Sequence, residues 1–209
     1  MRIVVFGATG MVGRRVVSEA SVRGHDVVAV SRGVGGEGFA TVATVSVDAG
    51  DPVRVRELLR TADVAVSAVR PRPGEEASVP ATTTVLLDAA AATGTALLLV
   101  GGAGPLSSPD SPGVLVIDDE RYVPARWRSS AVASLAQLQA CEGHRAAWTY
   151  LSPPAVLEPG ERTGTYRRGT TTLLVDGAGR SRISAEDLAV AVLDEVENPG
   201  RARHLTVAY

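Results

Sequence analysis

Gly7, Gly10 and Gly13 stand directly behind the apolar run Ile3, Val4, Val5 and Phe6, and an apolar stretch suited to a helix follows them. A strand that runs into closely spaced glycines and then into a helix is built to hold a pyrophosphate. The first N–H groups of the helix have no partner within it and attract negative charge. In the segment Gly7, Ala8, Thr9, Gly10, Met11, Val12, Gly13, the first glycine permits a tight turn and the second lets the main chain approach the phosphates. The third allows the helix to pack closely on the strand. A turn with no ligand is the alternative reading of the glycines taken alone.

The remaining residues able to meet such a ligand stand at the ends of the later apolar runs. At the end of the second run, an enzyme that uses NAD usually carries an acid for the ribose 2′-OH; this chain has Ser31 and Arg32. A guanidinium pairs with a 2′-phosphate and stacks on adenine, which favours NADPH over NADH. A solvated loop arginine is the alternative for Arg32, as it is for Arg14 in the first helical turn. Asp48 reads equally as an acceptor for the adenine amino group and as a loop cap. Ser67, Ala68 and Val69 offer small groups beside the ribose, and Gly101, Gly102 and Ala103 let the main chain approach the nicotinamide end, or make a turn. Ser152, Pro153 and Pro154 are candidate substrate contacts, with a structural turn as the alternative. Tyr166 is a platform for a flat acceptor or a surface-loop residue.

The chain of 209 residues, with 45% hydrophobic content, suits one domain with a substantial core, with residues 152–180 forming much of a small C-terminal substrate lobe. The net charge of -2 and the scatter of arginines give no footprint for nucleic acid. No apolar run reaches membrane-spanning length, and the glycines interrupt any signal-like segment. Cys141 is the one cysteine, so no intramolecular disulfide framework exists. With three histidines a metal cluster is not expected, and a reducing cytoplasm fits best. All 21 basic residues are arginine, so no step that needs a lysine amine is open to this protein.

Strand and helix patterns alternate along the chain. Met11, Val12, Val16, Val17 and Ala20 form a helical face ending near Gly24. Asp26 to Ser31 is a buried strand, a glycine-rich loop spans Gly33 to Gly38, and a third strand covers Thr44 to Val47. Asp51 and Pro52 open a helix through Leu59 as N-cap and first residue. Val64 to Val69 is strand four; Pro71, Pro73 and Gly74 mark a loop; a helix from Ala77 to Thr93 closes at Gly94. Strand five runs from Leu97 to Val100, Pro105 to Pro124 is irregular, and Arg126 to Cys141 is helical. Trp148, read as core, opens strand six, which ends at Leu151. Short strands and turns follow, and Ser184 with Asp187 opens a helix stopped by Asn198, Pro199 and Gly200 before a last strand from Leu205 to Ala208. This order predicts an α/β fold with a doubly wound parallel sheet, placing a ligand across the C-terminal strand ends.

The G-x-x-G-x-x-G spacing resembles that of the short-chain dehydrogenases. GATGMVG at Gly7, VGGAG at Val100 to Gly104, TYLSPPAVLEPGERTGTYR at Thr149 to Arg167 and SRISAEDLAVAVLDEVENP at Ser181 to Pro199 together resemble the NAD(P)H-flavin reductase family. That family is an atypical branch similar to biliverdin reductase B and the NmrA-like proteins. The resemblance implies a Rossmann fold binding NADP(H), with hydride passing to a free flavin as substrate rather than prosthetic group, or to a quinone. It implies a small planar acceptor as partner, with neither nucleic acid nor membrane, in a monomer or homodimer. The Tyr-x-x-x-Lys pair of the wider superfamily cannot exist here, and Trp127 with Arg128 stands near its usual place. No catalytic side chain is assigned. An NmrA-like sensor that binds NADP(H) without turnover is the alternative.

Overall fold

The computed structural model describes residues 1–33, 39, 42–72 and 74–209; most of the glycine-rich loop predicted over Gly33 to Gly38, and Pro73, lie outside the described residues. Ten strands and five α-helices are formed among them: β1 Arg2–Phe6, α1 Met11–Val22, β2 Asp26–Ser31, β3 Ala43–Ser46, α2 Pro52–Leu59, β4 Val64–Ser67, α3 Val79–Thr93, β5 Ala96–Val100, α4 Arg128–Cys141, β6 Trp148–Ser152, β7 Val156–Glu158, β8 Arg167–Gly169, β9 Arg182–Ser184, α5 Ala185–Glu197 and β10 His204–Ala208. Eight strands make the main sheet in the order β3-β2-β1-β4-β5-β6-β10-β8, and β7 pairs with β9 alone. Every pairing is parallel except that of β10 with β8. The order reverses between β1 and β4, so the loops leaving those two strands part and open a crevice.

Both faces of the sheet are covered, which is why the inner strands read as continuous apolar runs rather than alternating ones. One face packs on α1 and α5 through Val12, Val16, Val17, Leu188 and Val192. The other packs on α2, α3 and α4 through Val55, Leu59, Leu86, Leu87 and Leu138. The segment read as irregular after strand five has its own core, where Leu106, Val116, Ile117 and Val123 meet Ala131 of α4 and Leu173.

The helices begin and end where local chemistry dictates. Asp51 caps α2 by accepting from Val53 and Arg54 N–H at 3.0 and 3.1 Å, with Pro52 behind it. Gly94 ends α3 in the left-handed conformation, at φ 74°. The threonines that weaken α3 by propensity fold back on it: Thr83, Thr84 and Thr93 donate to Val79, Pro80 and Ala89 carbonyls at 2.8 to 3.0 Å. Ser184 caps α5 through Asp187 N–H at 2.9 Å. The reciprocal half of that capping box is absent, because Asp187 instead accepts from Thr163, the Gly164 amide and Tyr209.

Candidate functional site

The glycine turn lies where β1 and β4 diverge. Gly7 has φ 76°, and a Cβ there would stand 2.6 Å from the Ala68 carbonyl oxygen, so only glycine lets the turn rest against the end of β4. A Cβ on Gly13 would overlap the Gly7 carbonyl, which ties the first turn of α1 to the end of β1. Gly10 is the N-cap of α1 and has no side chain to cap with. Its own N–H donates to the Gly7 carbonyl at 3.0 Å, and the Arg14 N–H makes the first helical bond, to Gly10, at 3.1 Å. The amides of Met11, Val12 and Gly13 therefore point out of the helix start with no acceptor among the described residues. Ala8 N–H donates to Val30 at 3.1 Å and Ala68 N–H to Phe6 at 2.9 Å, fixing the turn between β2 and β4. An uncapped helix start and a turn that excludes Cβ groups fit a pyrophosphate.

Arginines surround this crevice. The Arg14 guanidinium donates to the Thr9 carbonyl at 2.8 Å, beside the turn. Arg32 is 47% exposed and lies 3.6 Å from Glu75, which Arg72 also approaches at 3.9 Å. Ser31 and Ser46 position the Arg32 segment: the Ser31 hydroxyl donates to Gly33 at 3.0 Å and Ser46 to the Arg32 carbonyl at 3.3 Å. Asp48 is exposed and caps its own loop by accepting the Gly50 N–H at 2.8 Å through one oxygen. Ser67 is buried at the end of β4, and its hydroxyl has no partner among the described residues. Ala68 is buried against Gly7, and Val69 packs partly into the core under α2 and α3.

Gly101, Gly102 and Ala103 leave β5 at the same edge, and packing explains the two glycines. A Cβ on Gly101 would overlap the Tyr150 hydroxyl, and one on Gly102 would lie 3.0 Å from Ser134 of α4. Tyr150 is fully buried; its hydroxyl lies 2.8 Å from the Ser134 carbonyl and 3.2 Å from Gln137 Oε1. Burial raises its pKa above the ordinary phenol, and its hydroxyl is engaged within the fold.

Of the other candidates, Ser152 to Pro154 leave β6 beside Gly101, whose N–H donates to the Leu151 carbonyl at 2.9 Å, whereas Tyr166 lies apart. Ser152 is fully buried and its hydroxyl lies 2.9 Å from His204 Nε2, so it is occupied within the fold. Desolvation lowers the His204 pKa, which keeps that imidazole neutral. Pro153 and Pro154 are buried beside it in the chain. Tyr166 is not a platform at the crevice: its hydroxyl donates to Asp194 at 2.5 Å, near the far end of α5. The α1 helix runs parallel to α5, with Arg15 on Glu186 and Arg23 on Asp194, so Tyr166 stands about 15 Å of helix rise from the glycine turn.

Residues 160–168 form a strap along these two helices rather than a lid. Gly160 N–H meets Glu186, Arg162 meets Glu19, Thr163 meets Asp187, Tyr166 meets Asp194 and Arg168 meets Glu195. Sequence reasoning passed over Arg70, Glu75 and the Glu19–Arg162 pair. For Arg70 a signal existed, since V-R-P-R-P puts a charge directly behind a buried strand.

A parallel sheet that reverses order between β1 and β4, with a glycine turn and free helix amides at that reversal, defines a dinucleotide-binding Rossmann protein. Residues 7–199 match the family described as NAD(P)H-binding, and the chain belongs to that family. It is similar to a Burkholderia pseudomallei structure named "putative exported protein", with 38% identity, all of both chains covered and a TM-score of 0.89. A Bacteroides thetaiotaomicron structure named "putative epimerase" shares 31% identity over 100% of this chain and 96% of that one, at a TM-score of 0.87. A Streptococcus pneumoniae structure named "putative NADH-flavin reductase" shares 25% identity over 100% and 99% of the two chains, at 0.88. No helix among the described residues is long and apolar enough to cross a membrane.

Proposed function

We propose that this protein is an NADPH-dependent reductase of a small planar acceptor, a free flavin or a quinone, acting in the cytoplasm as a monomer or homodimer. One observation carries the reading: the glycine turn fits a pyrophosphate, and the described residues of its crevice present no tyrosine–lysine acid–base pair. The chain has no lysine, and the tyrosine under the β5 loop, Tyr150, is sealed against Ser134 and Gln137. Oxidation of an alcohol or epimerisation of a sugar needs a protein base at the carbinol. Reduction of a flavin or quinone asks the protein for binding, orientation and exclusion of water. The bound nicotinamide supplies the hydride, and the product proton comes from solvent.

In this reading the amides of Met11, Val12 and Gly13 hold the pyrophosphate, Arg32 meets the 2′-phosphate, and the Gly101 to Ala103 main chain borders the nicotinamide end. The reductase name of the Streptococcus relative supports the choice of acceptor. Steady-state oxidation of NADPH with riboflavin, FMN and quinones tests it. Turnover above the enzyme-free rate is expected with at least one acceptor. Cofactor binding without turnover, with a protein partner co-purifying, would instead favour a redox sensor.

A further inference from the structure

Arg70 differs from the other arginines of the crevice edge. Arg14 is tied to the Thr9 carbonyl, and Arg32 and Arg72 share Glu75. Among the described residues the Arg70 guanidinium makes no ion pair. The residue is exposed, yet desolvation by nearby protein lowers its pKa, and Tyr150 is the ionisable group whose field reaches it.

Its place in the fold is the crevice edge. Arg70 leaves β4 just after Ala68, the residue against which Gly7 rests. β4 pairs with β5 and β5 with β6, so Arg70 leaves the sheet on the β4-β5-β6 side of the reversal. Arg32 ends β2, on the other side of the reversal between β1 and β4. The two guanidiniums therefore serve opposite halves, and Arg70 belongs to the half assigned above to the nicotinamide and acceptor. An unpaired, partly desolvated guanidinium gains most from an anion that supplies charge-assisted hydrogen bonds.

We propose that Arg70 receives an anionic group, phosphate or carboxylate, of the planar acceptor, so that the substrate class is an anionic rather than a neutral ring system. This rests on the reductase reading. FMN and riboflavin share a ring system and differ in one phosphate, so they isolate the interaction.

The test measures kcat/KM for both flavins in the intact protein, Arg70→Ala and Arg70→Lys, with the KM for NADPH alongside. FMN is expected to exceed riboflavin by about tenfold or more, and Arg70→Ala to lower the FMN value by roughly tenfold to a hundredfold while riboflavin stays within about threefold. Arg70→Lys should retain part of the FMN preference. Equal losses for both flavins, or a raised KM for NADPH in place of FMN, would overturn the proposal and assign Arg70 to the cofactor. If neither flavin turns over, the reductase reading fails first. Flavin-fluorescence titration of the NADP+-loaded protein then decides on Arg70: tighter FMN binding that depends on Arg70 supports it, and equal binding of the two flavins overturns it.

Discussion

Arg162 holds Glu19 through two guanidinium hydrogen bonds of 2.8 Å each, across 143 residues of sequence. Glu19 is 6% exposed, and Arg162 first and Arg23 second hold its pKa at about 2, below 4.5, against the opposing effect of burial. The folded pKa lies below the unfolded one, so the ionised carboxylate stabilises fully above about pH 4.5 and the contribution is lost as pH falls toward 2. Glu19→Gln should therefore lower unfolding free energy on the order of 2–3 kcal/mol near neutral pH, after allowance for the half-exposed Arg162. Denaturant titrations across pH would show the gap to the native protein closing on acidification. A gap independent of pH would mean that the pair contributes nothing through its charge.

The three glycines of the phosphate turn should separate in a binding and stability experiment. Gly13→Ala forces α1 away from Gly7 and is expected to lose about 2 kcal/mol or more of stability. Gly7→Ala suffers both the Ala68 contact and a left-handed backbone. Gly10→Ala meets only the Gly7 carbonyl, at 3.2 Å, so it should fold with a small loss and still bind dinucleotide poorly, its methyl group facing the phosphates. Calorimetric binding and thermal melting of all three would reveal this; normal NADPH affinity in folded Gly10→Ala would place the phosphates elsewhere.

Arg32→Ala should weaken NADPH far more than NADH, by roughly 1.5 to 3 kcal/mol for charged hydrogen bonds. Glu75, 3.6 Å from Arg32, competes for the same guanidinium, so Glu75→Gln should tighten NADPH and leave NADH nearly unchanged. Titration of both cofactors with both variants checks this, and equal effects on the two would contradict a 2′-phosphate at Arg32.

Tyr150→Phe removes a buried hydroxyl that meets Ser134 and Gln137, at a cost of about 1 kcal/mol in stability. Turnover should stay within about threefold of the native protein, because the hydroxyl takes no part in proton transfer. A loss of a thousandfold with the fold intact would restore a tyrosine acid to the mechanism.

What the sequence made legible is what neighbouring residues encode. The strand, turn and helix at Gly7, the Asp51–Pro52 start of α2, the Gly94 stop of α3 and the Ser184 cap are each specified within a few positions, and the structure has them there. Tyr166 lies away from the crevice because its partner, Asp194, is 28 residues further along the chain, and the Ser152 hydroxyl, at the expected strand end, is taken by His204, 52 residues on. No local pattern marks a phenol that a distant carboxylate will claim. Arg70 escaped notice for the opposite reason, since its significance lies in lacking a partner. Gly101 and Gly102 stand where expected, but the buried tyrosine and α4 account for them as fully as a ligand would.

The sheet ends at β8, three residues long and set antiparallel beside β10. Two of its residues are Arg167 and Arg168, and Arg167 reaches across to the Tyr209 main-chain oxygen. A second molecule approaching this edge finds too few open amides to extend the ladder, and arginine side chains in the way. The aliphatic strands at the centre of the sheet are thereby shielded on this side from pairing with a neighbour.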